Sequence, residues 1–91
     1  MTLHIVSKSP FASNALRDCL SAFADGDTLL LIEDGVYALQ GNQWEAVGPV
    51  YCLEADAQAR GIPMRPGVQA LDESGWVDLC TRHNPIVSWF Q

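Results

Sequence analysis

The hydrophobic positions of this chain fall into two kinds of block. "LHIVS" (3–7) and "TLLLIED" (28–34) are short apolar runs, the second nearly unbroken, as in strands covered on both faces of a parallel sheet. "PVYCLE" (49–54) reads the same way. "VQALD" (68–72) is poorer in apolar residues and predicts a strand nearer the sheet edge. Between these runs the period lengthens to that of a helix. Over 12–24, Ala12, Leu16, Cys19, Leu20 and Phe23 share one helical face, Ser13 and Arg17 lie outside it, and Asp25-Gly26-Asp27 supplies a stop. "EADAQAR" (54–60) predicts a short helix closed by Gly61 and Pro63. Over 74–83, with Ser74 as the expected cap, Trp76, Leu79 and Cys80 group on one side, and Asn84-Pro85 ends the pattern.

Strand and helix patterns that alternate in this way predict right-handed crossovers and an α/β fold. Parallel strands need long connections, and each helix must bury its apolar stripe. The expected architecture is a small three-layer domain spanning 1–91, with a mostly parallel sheet of about four to five strands and flanking helices. Two places stay open. In 35–48, Asp34-Gly35 between apolar runs resembles a hairpin turn, yet a truncated helix fits the same stretch. In "NPIVSWF" (84–90), Ile86, Val87, Trp89 and Phe90 require cover, so the segment either packs on the domain or forms a subunit contact, with Trp89 as its anchor.

Composition narrows the function classes. Eleven carboxylates stand against five basic residues, a net charge of −6, so a direct search for nucleic-acid phosphate meets repulsion. The basic residues, Lys8, Arg17, Arg60, Arg65 and Arg82, are scattered singly and form no stripe. The start of the sequence lacks a basic segment followed by a long apolar one, and no run approaches the length of a membrane span. The expectation is a cytoplasmic protein without a membrane partner. Three cysteines, an odd number, fit reduced thiols better than a disulfide framework.

Chemistry at an open parallel sheet gathers beyond the carboxyl ends of the strands, here 7–11, 34–37 and 54–56. Neither a G-x-G-x-x-G nor a P-loop pattern occurs, so no nucleotide cofactor is expected. Cys80 and His83 have a short metal-like spacing but lack a second pair of ligands, and no metal is expected. His4, between Leu3 and Ile5, reads as a satisfied structural or surface histidine. Cys52 and Cys80 read as small hydrophobes. Cys19 divides two readings: its periodicity with Leu16 and Phe23 favours burial and a sluggish thiol, whereas an accessible thiolate there would be a nucleophile.

Taken in order, "LHIVSKSPF", "RDCL", "LLLIEDGVYAL", "VYCLEADAQARGI" and "GWVDLCTRHNPIVSWF" resemble the DsrH/TusB family of sulfur-relay subunits over nearly the whole chain. The resemblance implies a DsrE-like α/β fold and a cytoplasmic partner of DsrE/TusD-like and DsrF/TusC-like subunits, arranged as a dimer of heterotrimers. Such complexes pass persulfide sulfur to a TusE-like carrier, toward thiolation of the tRNA wobble uridine. In the DsrEFH-type complexes the same chemistry serves dissimilatory sulfur oxidation. It also implies that the principal acceptor cysteine sits on the DsrE/TusD-like partner. Cys19 matches the first-helix cysteine of DsrH-type members, which makes it the candidate persulfide-carrying thiol of this chain. The stretch 41–48 departs from the family pattern in being shorter than the usual crossover.

Overall fold

A computed structural model describes residues 1–40, 44 and 48–89. Five strands form one sheet: β1 (Leu3–Val6), β2 (Thr28–Leu31), β3 (Val50–Leu53), β4 (Val68–Leu71) and β5 (Ile86–Trp89), in the spatial order β4-β3-β2-β1-β5. Every pairing is parallel, with Leu3 opposite Thr28 and Ile86, and Leu29 opposite Val50. The order follows from handedness. Successive crossovers from β1 to β4 step in one direction along the sheet, so right-handed connections place their helices on one face. The last connection, from β4 back to β5, steps the other way and carries its helix across the opposite face.

The two cores bear this out. Helix α1 (Ala15–Ala22), a 3₁₀ helix (Glu33–Gln40) and α2 (Glu54–Ala59) bury Leu16, Cys19, Val36, Leu39 and Ala57 against Val6, Leu29, Leu31 and Cys52. Helix α3 (Glu73–Thr81) lies on the other side, where Leu79, Trp76 and Cys80 meet Leu3, Ile5, Leu30, Ile32 and Leu53. β2 is the centre of both cores, its four residues all buried, and it fulfils the nearly unbroken apolar run of the sequence. Each fully buried leucine there contributes about 2 kcal/mol of transfer free energy.

Several local expectations change. The hairpin reading fails because β2 and β3 are parallel, and the 3₁₀ helix takes the place of the truncated helix. The shortened stretch 41–48 lies largely outside the described residues. The first helix begins at Ala15, after Ala12, and stops at Phe23, whose extended backbone precedes the Asp25-Gly26 turn expected to end it. Ser74 is not the cap of α3. Asp72 is, its carboxylate accepting from the Gly75 N–H at 2.7 Å, because the helix starts two residues earlier than a cap at Ser74 would place it. β4 does occupy an edge. The opposite edge is β5, which the sequence suggested only as an apolar tail: its residues alternate between exposed and half-buried, and Val87 and Trp89 turn to the α1 face.

Candidate functional site

Each end of the sheet carries its own group of polar side chains. At the carboxyl end the chain leaves β2 through Ile32 and Glu33. Glu33 adopts a left-handed backbone with φ of 49°, a conformation that costs about 1–2 kcal/mol outside glycine. The turn is held from α2, where the Asp56 carboxylate accepts from the Glu33 N–H at 2.7 Å. Gly35 comes next, so close to β1 that a β-carbon would overlap the Val6 carbonyl oxygen. Arg60, just past α2, donates to Asp34 from Nη2 at 2.9 Å and from Nε at 3.2 Å, reaches the Asp56 carbonyl at 3.2 Å, and lies 6.0 Å from the Tyr37 ring centre. Bonded to Asp34, the Arg60 guanidinium is held still more firmly in its charged form. Glu-Asp-Gly-Val-Tyr and Ala-Arg-Gly, far apart in sequence, thus make one bracket joining the ends of β2 and β3.

Toward the amino ends of the strands the polar groups are buried. His4 Nε2 lies 2.8 Å from Asp27 Oδ2, with both side chains less than a tenth exposed. The Trp89 indole donates to His4 Nδ1 at 3.2 Å. An indole N–H can only donate, so Nδ1 is bare and the ring's proton sits on Nε2, pointing at the carboxylate. Asp27 accepts two further bonds, from the Thr2 N–H at 3.1 Å and the Ala24 N–H at 3.0 Å. These donors, His4 first among them, hold its pKa down at about 2. The Phe23 ring packs 5.0 Å from the imidazole, and the Trp89 ring 6.1 Å away is stacked on it. His4 is therefore a satisfied buried histidine. The role of Asp27 was missed in a segment that reads as a helix stop, although a histidine between two core residues of a strand is itself a signal that an acceptor must be near.

Cys19 projects from α1 into the same core and is wholly buried. Burial pushes its thiol up to about 12, and the Asp27 charge adds to the shift. At neutral pH about one molecule in 10⁵ then carries a thiolate there. Cys52 is buried too, its Sγ 3.4 Å from Met64 Sδ, and burial together with the Glu54 and Asp56 charges raises its pKa. Cys80 is half-buried on the inner side of α3, and all three cysteines are free. His83, near Cys80 in sequence, has both ring nitrogens engaged, Nδ1 with the Leu79 carbonyl at 2.9 Å and Nε2 with Thr28 Oγ1 at 3.1 Å. Arg65, read as an isolated surface charge, lies 4.7 Å from the Trp44 ring centre.

An all-parallel sheet with helices on both faces, shielded thiols and a bracketed carboxyl end define a small three-layer α/β domain. The family model described as "DsrH like protein" matches residues 8–86, and the chain belongs to this family. Among curated relatives, Protein TusB of Escherichia coli O81 (strain ED1a) is 32% identical, the match covering 96% of this chain and 99% of that protein. Protein TusB of Photorhabdus laumondii is 31% identical over the same shares. The fold is shared with the ychN protein of E. coli, whose crystal structure aligns with a TM-score of 0.73 at 18% identity, covering 98% of this chain and 99% of that one. Among the described residues no helix is long and apolar enough to cross a membrane.

Proposed function

We propose that this chain is a subunit of a cytoplasmic sulfur-relay complex of the TusBCD type, in which it supports persulfide transfer for 2-thiouridine formation at the tRNA wobble position. The observation that carries this reading is the similarity, over nearly the full length of both proteins, to relatives named Protein TusB. The state of the thiols supports a scaffolding role. Sulfur transfer needs an accessible, partly ionised thiol to attack the outer sulfur of a persulfide. Cys19 and Cys52 are buried with raised pKa values, which fits what the family resemblance implies, that the principal acceptor cysteine sits on a DsrE/TusD-like partner; this chain then holds that partner and a DsrF/TusC-like subunit in place. A TusE-like carrier receives the sulfur afterwards. The acidic balance fits an indirect relation to the tRNA.

Co-expression with cognate DsrE/TusD-like and DsrF/TusC-like subunits, followed by size-exclusion chromatography, tests the assembly: a shared peak is expected, and a chain that elutes alone overturns the proposal. The alternative keeps Cys19 as the persulfide-carrying thiol, in a DsrEFH-type complex of dissimilatory sulfur oxidation, and rests on the first-helix position of that cysteine. Mass spectrometry of the assembled complex after incubation with a persulfide donor separates the two. A gain of one sulfur atom on this chain, abolished by Cys19→Ser and not by Cys52→Ser, favours the alternative. The scaffolding role predicts no gain on this chain.

A further inference from the structure

The bonding of His4 defines a state as well as a contact. Its Nε2–H is committed to Asp27, and its Nδ1 is the acceptor of the Trp89 indole. Only the neutral ring with its proton on Nε2 makes both bonds. A second proton can enter only at Nδ1, where it meets the indole N–H head-on, donor against donor. Trp89 ends β5, an edge strand whose one sheet neighbour is β1.

We propose that His4 is a proton-operated latch on the end of β5: neutral, it holds the Trp89 indole against the α1 face, and protonated at Nδ1 it lets the indole go. The change is confined to that bond. Protonated His4 keeps its Nε2–H on Asp27, and the contact becomes an ion pair between two side chains that are 5% and 8% exposed. The carboxylate stays ionised throughout, because its pKa sits at about 2. Among the described residues the surroundings of His4 contain no competing titration. It is flanked in the sheet by Leu29 of β2 and Val87 of β5, Phe23 packs on it from just past α1, and Cys19 of α1, whose thiol feels the same carboxylate, stays protonated with a pKa of about 12. The other histidine is built differently. His83 Nδ1 faces a carbonyl and so already carries a proton, while its Nε2 faces a hydroxyl, which can accept as readily as it donates; a second proton on His83 therefore breaks nothing.

The test is a pH titration of the ¹⁵N-labelled full chain from about pH 8 to about pH 5, the range in which histidine charge ordinarily changes. Long-range ¹H–¹⁵N correlations give the tautomer of the His4 ring, and solvent exchange of the Trp89 indole N–H, assigned with Trp89→Phe, gives the state of the latch. At the upper end the proton is expected on Nε2. As His4 titrates, the protection of the Trp89 indole, its exchange rate compared with that of a free indole at the same pH, should fall about tenfold or more with the same midpoint, while the protection of the Trp44 and Trp76 indoles does not follow. The transition should persist in His83→Gln. A proton found on Nδ1 at pH 8, indole protection indifferent to the His4 titration, or a His4 that stays neutral across the whole range would each overturn the proposal.

Discussion

At one end of the sheet a histidine and a carboxylate are sealed away from water beneath a half-buried indole, whereas at the other an arginine and two carboxylates sit beside it. Both groups tie together elements distant in sequence, and both pair opposite or complementary charges. They differ in what remains when a partner is removed. Around Asp27 the His4 ring is buried and has no solvent to turn to, so removing the carboxylate strands a polar group in the core. Around Asp34, three-fifths exposed, water takes over at once, so the bracket orients a loop and adds little to stability. The backbone beneath the bracket is another matter: Gly35 and the left-handed Glu33 fix the exit of β2 whatever the side chains do.

Breaking the buried group should give the largest effects. Asp27→Ala leaves the buried His4 ring without an acceptor and unties the Thr2 and Ala24 N–H groups, and should lower the Tm by about 10 °C in a thermal melt followed by circular dichroism. Trp89→Ala, which empties a half-buried site beside the α1 core, should cost about 3 kcal/mol in a urea titration. Trp89→Phe keeps the ring and loses only the bond to His4, so its cost should be about 1 kcal/mol. Acid probes the same carboxylate. With its folded pKa depressed from 3.8 to about 2, Asp27 contributes stability above about pH 4 that is lost as the pH falls toward 2, and Asp27→Asn should flatten that limb of the pH–stability curve. The exposed bracket should respond least: Arg60→Ala is expected to shift the Tm by no more than about 3 °C, and a larger loss would show that the contrast between the two ends has been drawn too sharply.

Much of this was legible because hydrophobic runs report burial directly. β2 announces itself as the most buried strand through four consecutive apolar or half-apolar residues, and the poorer run at 68–72 announces an edge. β5 escaped as a strand since an edge strand that is half solvated carries a weak alternation over only four residues, and it follows a proline that reads as punctuation. The 3₁₀ helix is intermediate: Val36, Ala38 and Leu39 look apolar enough for either a hairpin or a helix, and the choice is made by the parallel partner strand, which local sequence does not contain. For the site, periodicity placed Cys19 on the buried face of α1. What it did not reveal was the carboxylate beyond the next turn, since Asp27 earns its position from a histidine 23 residues earlier.

The strand that completes the sheet is the last of the five in sequence, and its partner is the first: Leu3 pairs with Ile86 and His4 bonds to Trp89. Contacts of such separation close slowly, because most of the chain's loop entropy must be surrendered before they form. During synthesis β1 can pair with β2 as soon as the first crossover is made, but its other side stays a bare row of amide and carbonyl groups until residue 89 has emerged. For that interval the nascent chain presents an open edge to its neighbours, a template for mispairing. Ribosome-bound chains stopped before residue 86 should therefore be the most aggregation-prone form of this protein, and the one most dependent on chaperones.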